Sequence, residues 1–253
     1  MFQISIVSLL PEIVEPVTQH GVIGRARAKG LIDVVQVSPR DFVSDIHRTV
    51  DDRPYGGGPG MVLKYEPLRD AIHQSRRELP AGSREFVLSA QGRVFDQALA
   101  MEIASGSGLL LVAGRYEGLD ERIVAKEVEE ELSLGDFVLS GGELAAAVVI
   151  DAVARLLPGV LGHKDSSRED SFVTGLLDYP QYTRPEVVDG LGVPEVLVQG
   201  HHEAIRRWRL KQALGRTWMR RPQLLEDRGL TPEEKNLLDE FIDEHSEIDT
   251  IDV

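Results

Sequence analysis

The fold is decided by residues 109–157, which read LLLVAGRYEGLDERIVAKEVEEELSLGDFVLSGGELAAAVVIDAVARLL. Residues 109–113 are five consecutive apolar residues followed by a glycine, a pattern typical of a strand buried on both faces of a parallel sheet. Two loops bounded by glycines follow, GRYEG at residues 114–118 and GDFVLSGG at residues 135–142. Residues 143–157 are mostly apolar and predict a long helix that ends before a Pro-Gly pair.

The two glycine loops predict a pocket for a flat cofactor. Each lies beside an apolar run of strand type, residues 109–113 for the first and residues 137–139 for the second. Because glycine has no side chain, backbone N–H and C=O groups in such loops can approach a ligand closely. The simpler alternative is that each loop is only a turn, with Gly141 and Gly142 allowing a helix to pack closely. Two such loops in one domain favour the pocket.

The rest of the chain predicts an α/β domain followed by a mainly helical one. We expect strands at 3–9, 31–37 and 85–89, helices at 11–29, 66–79 and 96–104, a turn at 90–92 and a long loop at 38–60. Strands that alternate with helices indicate a largely parallel sheet. The chain is therefore divided into an α/β domain at 1–160, a linker at 161–175, and a helical domain with an acidic tail at 176–253.

The second domain contains a basic helix, predicted at residues 201–214, in an otherwise acidic chain. The net charge of the chain is −14, which argues against general binding of nucleic acid. Basic residues nevertheless cluster here and interleave with Trp208 and Trp218. Arginines beside aromatic rings suit phosphate contact and base stacking, although a solvated face is the commoner role of such a helix. Further along, the spacing of Thr231 and Glu234 predicts a capping box that begins the last helix.

The composition limits which kinds of active site the protein can contain and where in the cell it is expected. Hydrophobic residues make up 42% of the chain, enough for a sizeable core. Cysteine is absent, which excludes disulfides, thiolate metal sites and cysteine nucleophiles. The first residues lack the basic segment of a signal peptide, and no apolar run approaches the roughly 18 residues of a membrane span, so we expect a cytoplasmic protein.

Several common catalytic signatures are missing. The sequence has no P-loop, no GxGxxG after a strand, no HExxH and no GxSxG. The glycine-rich residues 56–60 lack both a preceding strand and a following Lys-Ser/Thr, so they are not expected to bind a nucleoside triphosphate. The polar segment at residues 166–178 contains several charged side chains, among them Arg168, Glu169, Asp170 and Asp178. A polar segment of this kind is usually only solvated, but a carboxylate at the mouth of a pocket can act as a general base.

Seven motifs in a fixed order resemble one family. They are SPRDF, HRTVDDRPYGGGPGM, GRYEG, GDFVLSGGE, DSF followed by GLLDYPQYTRP, VPEVL, and IRRWRLKQALGRTW, and they extend to about residue 225. Together they closely resemble the bacterial tRNA (guanine-N1-)-methyltransferases of the SPOUT class. The resemblance implies methyl transfer from S-adenosylmethionine to N1 of the guanine at tRNA position 37. It also implies a trefoil knot in the C-terminal part of the α/β domain, and a homodimer in which each active site is built from both chains.

The resemblance also implies roles for individual residues. Those expected at the cofactor are Leu88, Ser89, Gly114, Tyr116, Glu117, Gly118, Leu134, Gly135, Phe137, Leu139, Gly141 and Gly142. Asp170 matches the general base of the family, Arg155 the arginine near the target guanine, and Asp178 a second important carboxylate. The basic helix itself, rather than the resemblance, predicts contacts with tRNA phosphates, at Arg206, Arg207, Arg209, Lys211 and Arg216. Phe137 departs from the family, which often has a tyrosine there.

Two other functions are compatible with the residues. Another SPOUT methyltransferase could act on ribose or on a different base, and a ribose methylase would not need a general base placed against N1. A non-catalytic RNA-binding protein would have a degenerate pocket, and the intact glycine loops together with Asp170 argue against it. The family is reported to use Mg²⁺, but no dedicated cluster of metal ligands is visible in the sequence, so we expect no metal site built by the protein alone.

Overall fold

The computed structural model of the chain describes residues 1–162 and 170–249. The chain separates into two compact units, Met1–Lys164 and Asp165–Val253. Much of the predicted linker, residues 163–169, lies outside the described residues, as do the last four residues of the acidic tail. The division at 1–160, 161–175 and 176–253 stays a prediction.

The first unit is an α/β domain built on a parallel sheet. Its strands are β1 Phe2–Val7, β2 Ile32–Val37, β3 Asp51–Asp52, β4 Val62–Leu63, β5 Arg84–Val94, β6 Gly108–Ala113 and β7 Glu130–Ser133. Its α-helices are α1 Glu15–Gln19, α2 Gly21–Ala28, α3 Tyr65–Glu78, α4 Gln97–Ala104, α5 Glu121–Lys126 and α6 Glu143–Ala154. Five strands form the main sheet in the order β2-β1-β6-β5-β7, and all of their pairings are parallel. The predicted α/β class with a largely parallel sheet is confirmed.

Alternation along β6 creates a core on each face of the sheet. Leu109 and Leu111 point into a cluster with α2, α4 and α6, whereas Leu110 and Val112 point into a cluster with α3 and α5. All four side chains are fully buried, as predicted for residues 109–113. Full burial of each such side chain stabilises the fold by roughly 1.5–3 kcal/mol, so the central strand anchors the loop that follows it.

Two local predictions near the sheet are wrong. Residues 137–139 are not a strand: Val138 is 91% exposed, and the segment is a loop in which the Phe137 N–H donates to the Gly135 carbonyl at 2.9 Å. No turn forms at 90–92, because β5 continues through these residues while its pairing with β7 changes register. Gly92 permits this close pairing, since a Cβ there would lie 2.3 Å from the carbonyl carbon of Glu131.

Two longer predictions are corrected in detail. The helix expected at 11–29 is a 3₁₀ turn followed by two separate helices, α1 and α2. The helical conformation is interrupted at His20, which is extended, and Gly21 then begins α2 with a φ of +62°. The loop expected at 38–60 contains a 3₁₀ turn, and its strand β3 pairs with β4 in a small antiparallel ribbon. Helix α6 begins where predicted but ends at Ala154, since the chain turns through residues 155–157.

The second unit is mainly helical. It contains a two-stranded ribbon, β8 Val187–Val188 with β9 Leu191–Gly192, and the helices α7 Glu195–Val198, α8 His202–Arg220, α9 Gln223–Arg228 and α10 Pro232–Asp249. Helices α8 and α10 pack closely at Gly215, where a Cβ would lie 2.3 Å from the buried Phe241 ring. The predicted capping box is confirmed, because the Thr231 N–H donates to Glu234 Oε2 at 2.8 Å and the Glu234 N–H donates to Thr231 Oγ1 at 3.3 Å.

Candidate functional site

A cavity of about 400 Å³ lies where β6 and β7 end, beside residues 87–91 in the middle of β5. Pairing brings Leu88 of β5 level with Ala113 of β6 and Leu132 of β7, so the segments that follow β6 and β7 meet at one edge of the sheet. Clefts at the carboxyl ends of parallel strands are common ligand sites, and sites for small molecules have volumes of about 300–1,000 Å³. All twelve residues expected at the cofactor line this cavity: Leu88, Ser89, Gly114, Tyr116, Glu117, Gly118, Leu134, Gly135, Phe137, Leu139, Gly141 and Gly142.

The two glycine loops are joined directly to each other. The Gly142 N–H donates to the Gly114 carbonyl at 2.8 Å, and Arg115 forms an isolated antiparallel bridge with Gly141. Close approach requires glycine at position 142, where a Cβ would lie 2.8 Å from Ala113 Cα and 3.1 Å from the Gly114 nitrogen. The loops predicted from sequence therefore form one wall rather than two separate turns.

A buried ion pair fastens these loops to the sheet. Glu143 is the first residue of α6 and its side chain has no exposed surface, while the side chain of Arg115 is 19% exposed. Arg115 Nε donates to both carboxylate oxygens of Glu143, at 2.9 and 3.0 Å, and the Ser8 hydroxyl donates to Oε1 at 3.1 Å. A carboxylate is also favoured at a helix N-terminus, where the backbone N–H groups are unsatisfied.

Sequence reasoning missed this ion pair. The sequence pattern predicts only that Glu143 begins an apolar helix and that Arg115 lies in a turn. One signal could have drawn attention to it, since a charged residue rarely becomes fully buried unless it is paired, and Glu143 is the single acidic residue at the head of an apolar run. Its partner could not have been identified, because Arg115 is distant in sequence.

The glycine-rich segment packs against the first loop. The Glu117 N–H donates to the Met61 carbonyl, and the Leu63 N–H donates to the Gly118 carbonyl, both at 3.0 Å. Gly60 lies against the Glu117 side chain, since a Cβ at residue 60 would come within 2.4 Å of Oε1. The segment that ends at Met61 is thus connected to a wall of the cavity. A displacement of this segment would therefore shift the loop at 114–118.

The three residues expected to be catalytic lie in different units. Arg155 is exposed and follows α6 in the first unit. Asp170 and Asp178 belong to a hydrogen-bonded loop of the second unit. There the Val173 N–H donates to the Asp170 carbonyl at 3.3 Å and the Asp178 N–H donates to Ser171 Oγ at 2.9 Å. These hydrogen bonds connect the backbone of both residues within one loop, and the catalytic roles of the two side chains remain predictions.

The basic helix α8 is longer than predicted and is paired with the acidic helix α10. Arg206 bridges to Glu203 and Glu233, Arg207 to Glu240, and Lys211 to Glu244 and Glu240. The Arg206 guanidinium donates hydrogen bonds to Glu203 and to Glu233, and these bonds raise the pKa of Arg206 above its usual value. We call the contacts that join α8 to α10 the α8–α10 ladder; the Arg206–Glu203 pair lies within α8.

The other two expected tRNA contacts lie outside the ladder. The Arg209 guanidinium stacks over the Tyr179 ring at 4.7 Å from its centroid, and Arg216 is half-buried. Most ladder residues are more than 40% exposed, and exposed ion pairs contribute little to stability. The carboxylates of α10 therefore neutralise the basic residues of α8 without adding much to the stability of the fold.

The part of the chain that the structure describes contains neither a metal-binding cluster nor a membrane-spanning helix. Across residues 1–162 and 170–249, no group of three or more His, Asp or Glu side chains is arranged to hold a metal ion. None of the helices in the same part of the chain combines the length and apolar character that crossing a membrane requires.

Comparison with known proteins gives a consistent result. The family model described as tRNA (Guanine-1)-methyltransferase TrmD matches residues 2–227. Curated proteins named tRNA (guanine-N(1)-)-methyltransferase from Salmonella newport, Salmonella agona and Salmonella typhimurium are each 58% identical over 244 residues. These alignments cover 96% of this chain and 96% of each relative.

Proposed function

The chain belongs to the tRNA (guanine-1)-methyltransferase family, and from this we propose that it methylates N1 of the guanine at position 37 of tRNA in the cytoplasm. The single observation that carries the proposal is the cavity at the ends of β6 and β7, beside the middle of β5. All the residues that the resemblance assigns to the cofactor line it. The knotted SPOUT topology is part of the same proposal. It is supported by the return of residues 141–142 to pair with Gly114 and Arg115.

The cavity suits S-adenosylmethionine in size and in chemistry. Its walls include the loops at 114–118 and 134–142, and backbone N–H and C=O groups of glycine loops can approach an adenine edge closely. Gly118 has a φ of +140° and open space beside its Cα, so backbone rather than a side chain faces the cavity there. When bound, S-adenosylmethionine supplies a methyl group on a sulfonium, which makes the methyl electrophilic.

The protein must remove one proton and stabilise one developing charge. Guanine N1 carries a proton at neutral pH, and a carboxylate can accept this proton as the nitrogen attacks. We assign this role to Asp170, and we assign Arg155 to the negative charge that develops on guanine O6. Asp178 shares a hydrogen-bonded loop with Asp170 through Ser171, and we assign to it a role in holding the substrate. Mg²⁺, where it takes part, would be held jointly with RNA phosphates.

We propose that the enzyme is a homodimer in which each active site draws residues from both chains. Two apolar side chains on the outer face of α6, Leu144 and Val148, are each 51% exposed. They are one helical turn apart and follow directly after the cavity loop. Exposed apolar side chains grouped on one face of a helix occur at protein interfaces, and Arg155 follows the end of the same helix.

The test of the function is methyl transfer to transcripts that differ at one position. Wild-type protein is incubated with methyl-labelled S-adenosylmethionine and with two tRNA transcripts carrying guanine or adenine at position 37. We expect label only in the guanine transcript, recovered as 1-methylguanosine by mass spectrometry of the nucleosides. Label in a 2′-O-methylated nucleoside would identify a ribose methylase, and absence of label from both transcripts would refute methyl transfer.

We propose that tRNA phosphates bind Arg206, Arg207, Arg209, Lys211 and Arg216 and displace the carboxylates of the α8–α10 ladder. Replacing Arg207 by glutamine is then expected to weaken tRNA binding and to reduce the slope of log affinity against log salt by about one. The measurement is a binding titration at several potassium chloride concentrations.

Two further variants control this prediction. Lys29→Gln removes an exposed basic residue of the first unit that is outside the proposed set, and it should leave the slope unchanged. Glu240→Gln removes the partner of Arg207 and should strengthen binding, since a competing carboxylate is gone. An unchanged slope in Arg207→Gln would mean that this face of α8 is merely solvated.

A further inference from the structure

A second cavity lies entirely within the second unit and has no part in the chemistry proposed above. Its volume is about 880 Å³, and it is lined by residues 179–186 together with side chains of α7 and α8. Three aromatic rings contribute to its wall, those of Tyr179, Tyr182 and Trp208. We call this space the aromatic cavity.

The rings are arranged so that they can accept a further flat group. The centroids of Tyr182 and Trp208 are 6.4 Å apart and their planes are inclined by 50°, so neither ring is stacked on the other. The side chain of Tyr182 remains 48% exposed, and Trp208 is half-buried. Aromatic rings that line a cavity without covering each other can stack with a nucleobase, and this kind of binding tolerates any base.

Two arginines supply the charge that a nucleotide needs. Arg184 and Arg209 line the cavity together with one acidic residue, Glu186. Whereas Arg207 pairs with a carboxylate of α10, Arg209 contacts the Tyr179 ring. Its Nε atom is buried and has no hydrogen-bond partner in the described part of the chain. A buried donor without a partner is unfavourable, and a small rotation of the Arg209 side chain toward a phosphate or carbonyl oxygen in the cavity would satisfy it.

We propose that the aromatic cavity binds one unpaired nucleotide of the RNA substrate, with its base stacked on Tyr182 or Trp208 and an oxygen facing Arg209. The proposal rests on the proposed function, because it takes tRNA as the substrate. The nucleotide must be unpaired, since a base within a duplex has both faces covered by its neighbours, and proteins generally read RNA bases in loops and bulges. The cavity would add affinity for tRNA without choosing the base.

The experiment uses Trp208 as a reporter. The chain has two tryptophans, and Trp218 is exposed and does not line the cavity, so Trp218→Phe leaves Trp208 as the only one. We expect saturable quenching of its emission by a tRNA transcript and by a short single-stranded RNA. In the matched control Trp208→Phe, the remaining Trp218 should respond much less to either RNA.

A second variant measures the contribution to binding. Tyr182→Ala is expected to weaken tRNA binding about 5-fold or more, the effect typical of one lost stacking contact, whereas Tyr182→Phe should bind as the wild type does. In the methylation assay, KM for tRNA should rise with kcat unchanged. Because Tyr182 is half exposed, we expect both variants to fold, and their urea-unfolding midpoints check this.

The outcomes separate this proposal from the proposed function. If Trp208 responds to RNA but no tRNA is methylated, the aromatic cavity stands and the enzymatic assignment fails. The cavity proposal is overturned if Tyr182→Ala methylates tRNA with a normal KM and if RNA does not change the emission of Trp208.

Discussion

Replacing Asp170 by asparagine is expected to lower the single-turnover rate of methyl transfer by about 100- to 10,000-fold, the usual contribution of a general base. Asparagine has nearly the same shape as aspartate but cannot accept the proton of guanine N1. The backbone carbonyl of residue 170 would still accept from the Val173 N–H, so the local loop should persist. Because the residues assigned to the cofactor lie in the first unit, calorimetry should find normal affinity for S-adenosylmethionine.

Asp189→Asn is the matched control for this prediction. Asp189 is an exposed aspartate of the same unit with a φ of +52°, a conformation that asparagine also adopts readily. This variant should keep the wild-type rate. If Asp170→Asn turns over at a near-normal rate, Asp170 is not the base, and Asp178 becomes the next carboxylate to test.

The parts of the fold that sequence predicted well depend on local physics. The run at 109–113 is apolar at every position, and only a strand covered on both faces requires this. Thr231 and Glu234 satisfy each other over three residues, so their spacing alone identifies the capping box. The glycine loops at 114–118 and 135–142 were predicted as one site because glycine marks close backbone approach.

The parts that sequence could not predict depend on long-range partners. The run at 137–139 is apolar, yet it is a loop at the cavity, since a segment that lines a ligand site can leave apolar side chains exposed. The α8–α10 ladder joins residues that are far apart in sequence, such as Arg207 and Glu240, which are 33 positions apart. In the sequence, these residues belong to separate basic and acidic segments, so their pairing is not visible there. The catalytic roles of Asp170, Arg155 and Asp178 come from the resemblance to a family, and no spacing in the chain implies them.

Replacing Glu143 by alanine is expected to lower the free energy of unfolding by about 3 kcal/mol. Loss of one partner from a buried ion pair typically costs roughly 3–5 kcal/mol, because the remaining charge is left without compensation. The lower end applies here, since the Arg115 side chain is 19% exposed and retains some contact with water. Affinity for S-adenosylmethionine should fall as well, because the pair holds the loop that carries Gly114 beside the one that carries Gly142. Urea unfolding measures the first effect, and calorimetry well below the thermal midpoint measures the second.

Two comparisons decide whether the ion pair causes the loss. Adding Arg115→Met to Glu143→Ala removes the uncompensated cation and should restore part of the stability, as expected for two residues that are coupled directly. Glu203→Ala breaks the exposed pair with Arg206 and should leave the unfolding midpoint unchanged, because exposed pairs contribute little. If Glu143→Ala unfolds at the same urea concentration as the wild type and binds the cofactor normally, the Arg115–Glu143 pair does not organise the cavity. The joined loops would then owe their geometry to the backbone contacts between Gly114 and Gly142 alone.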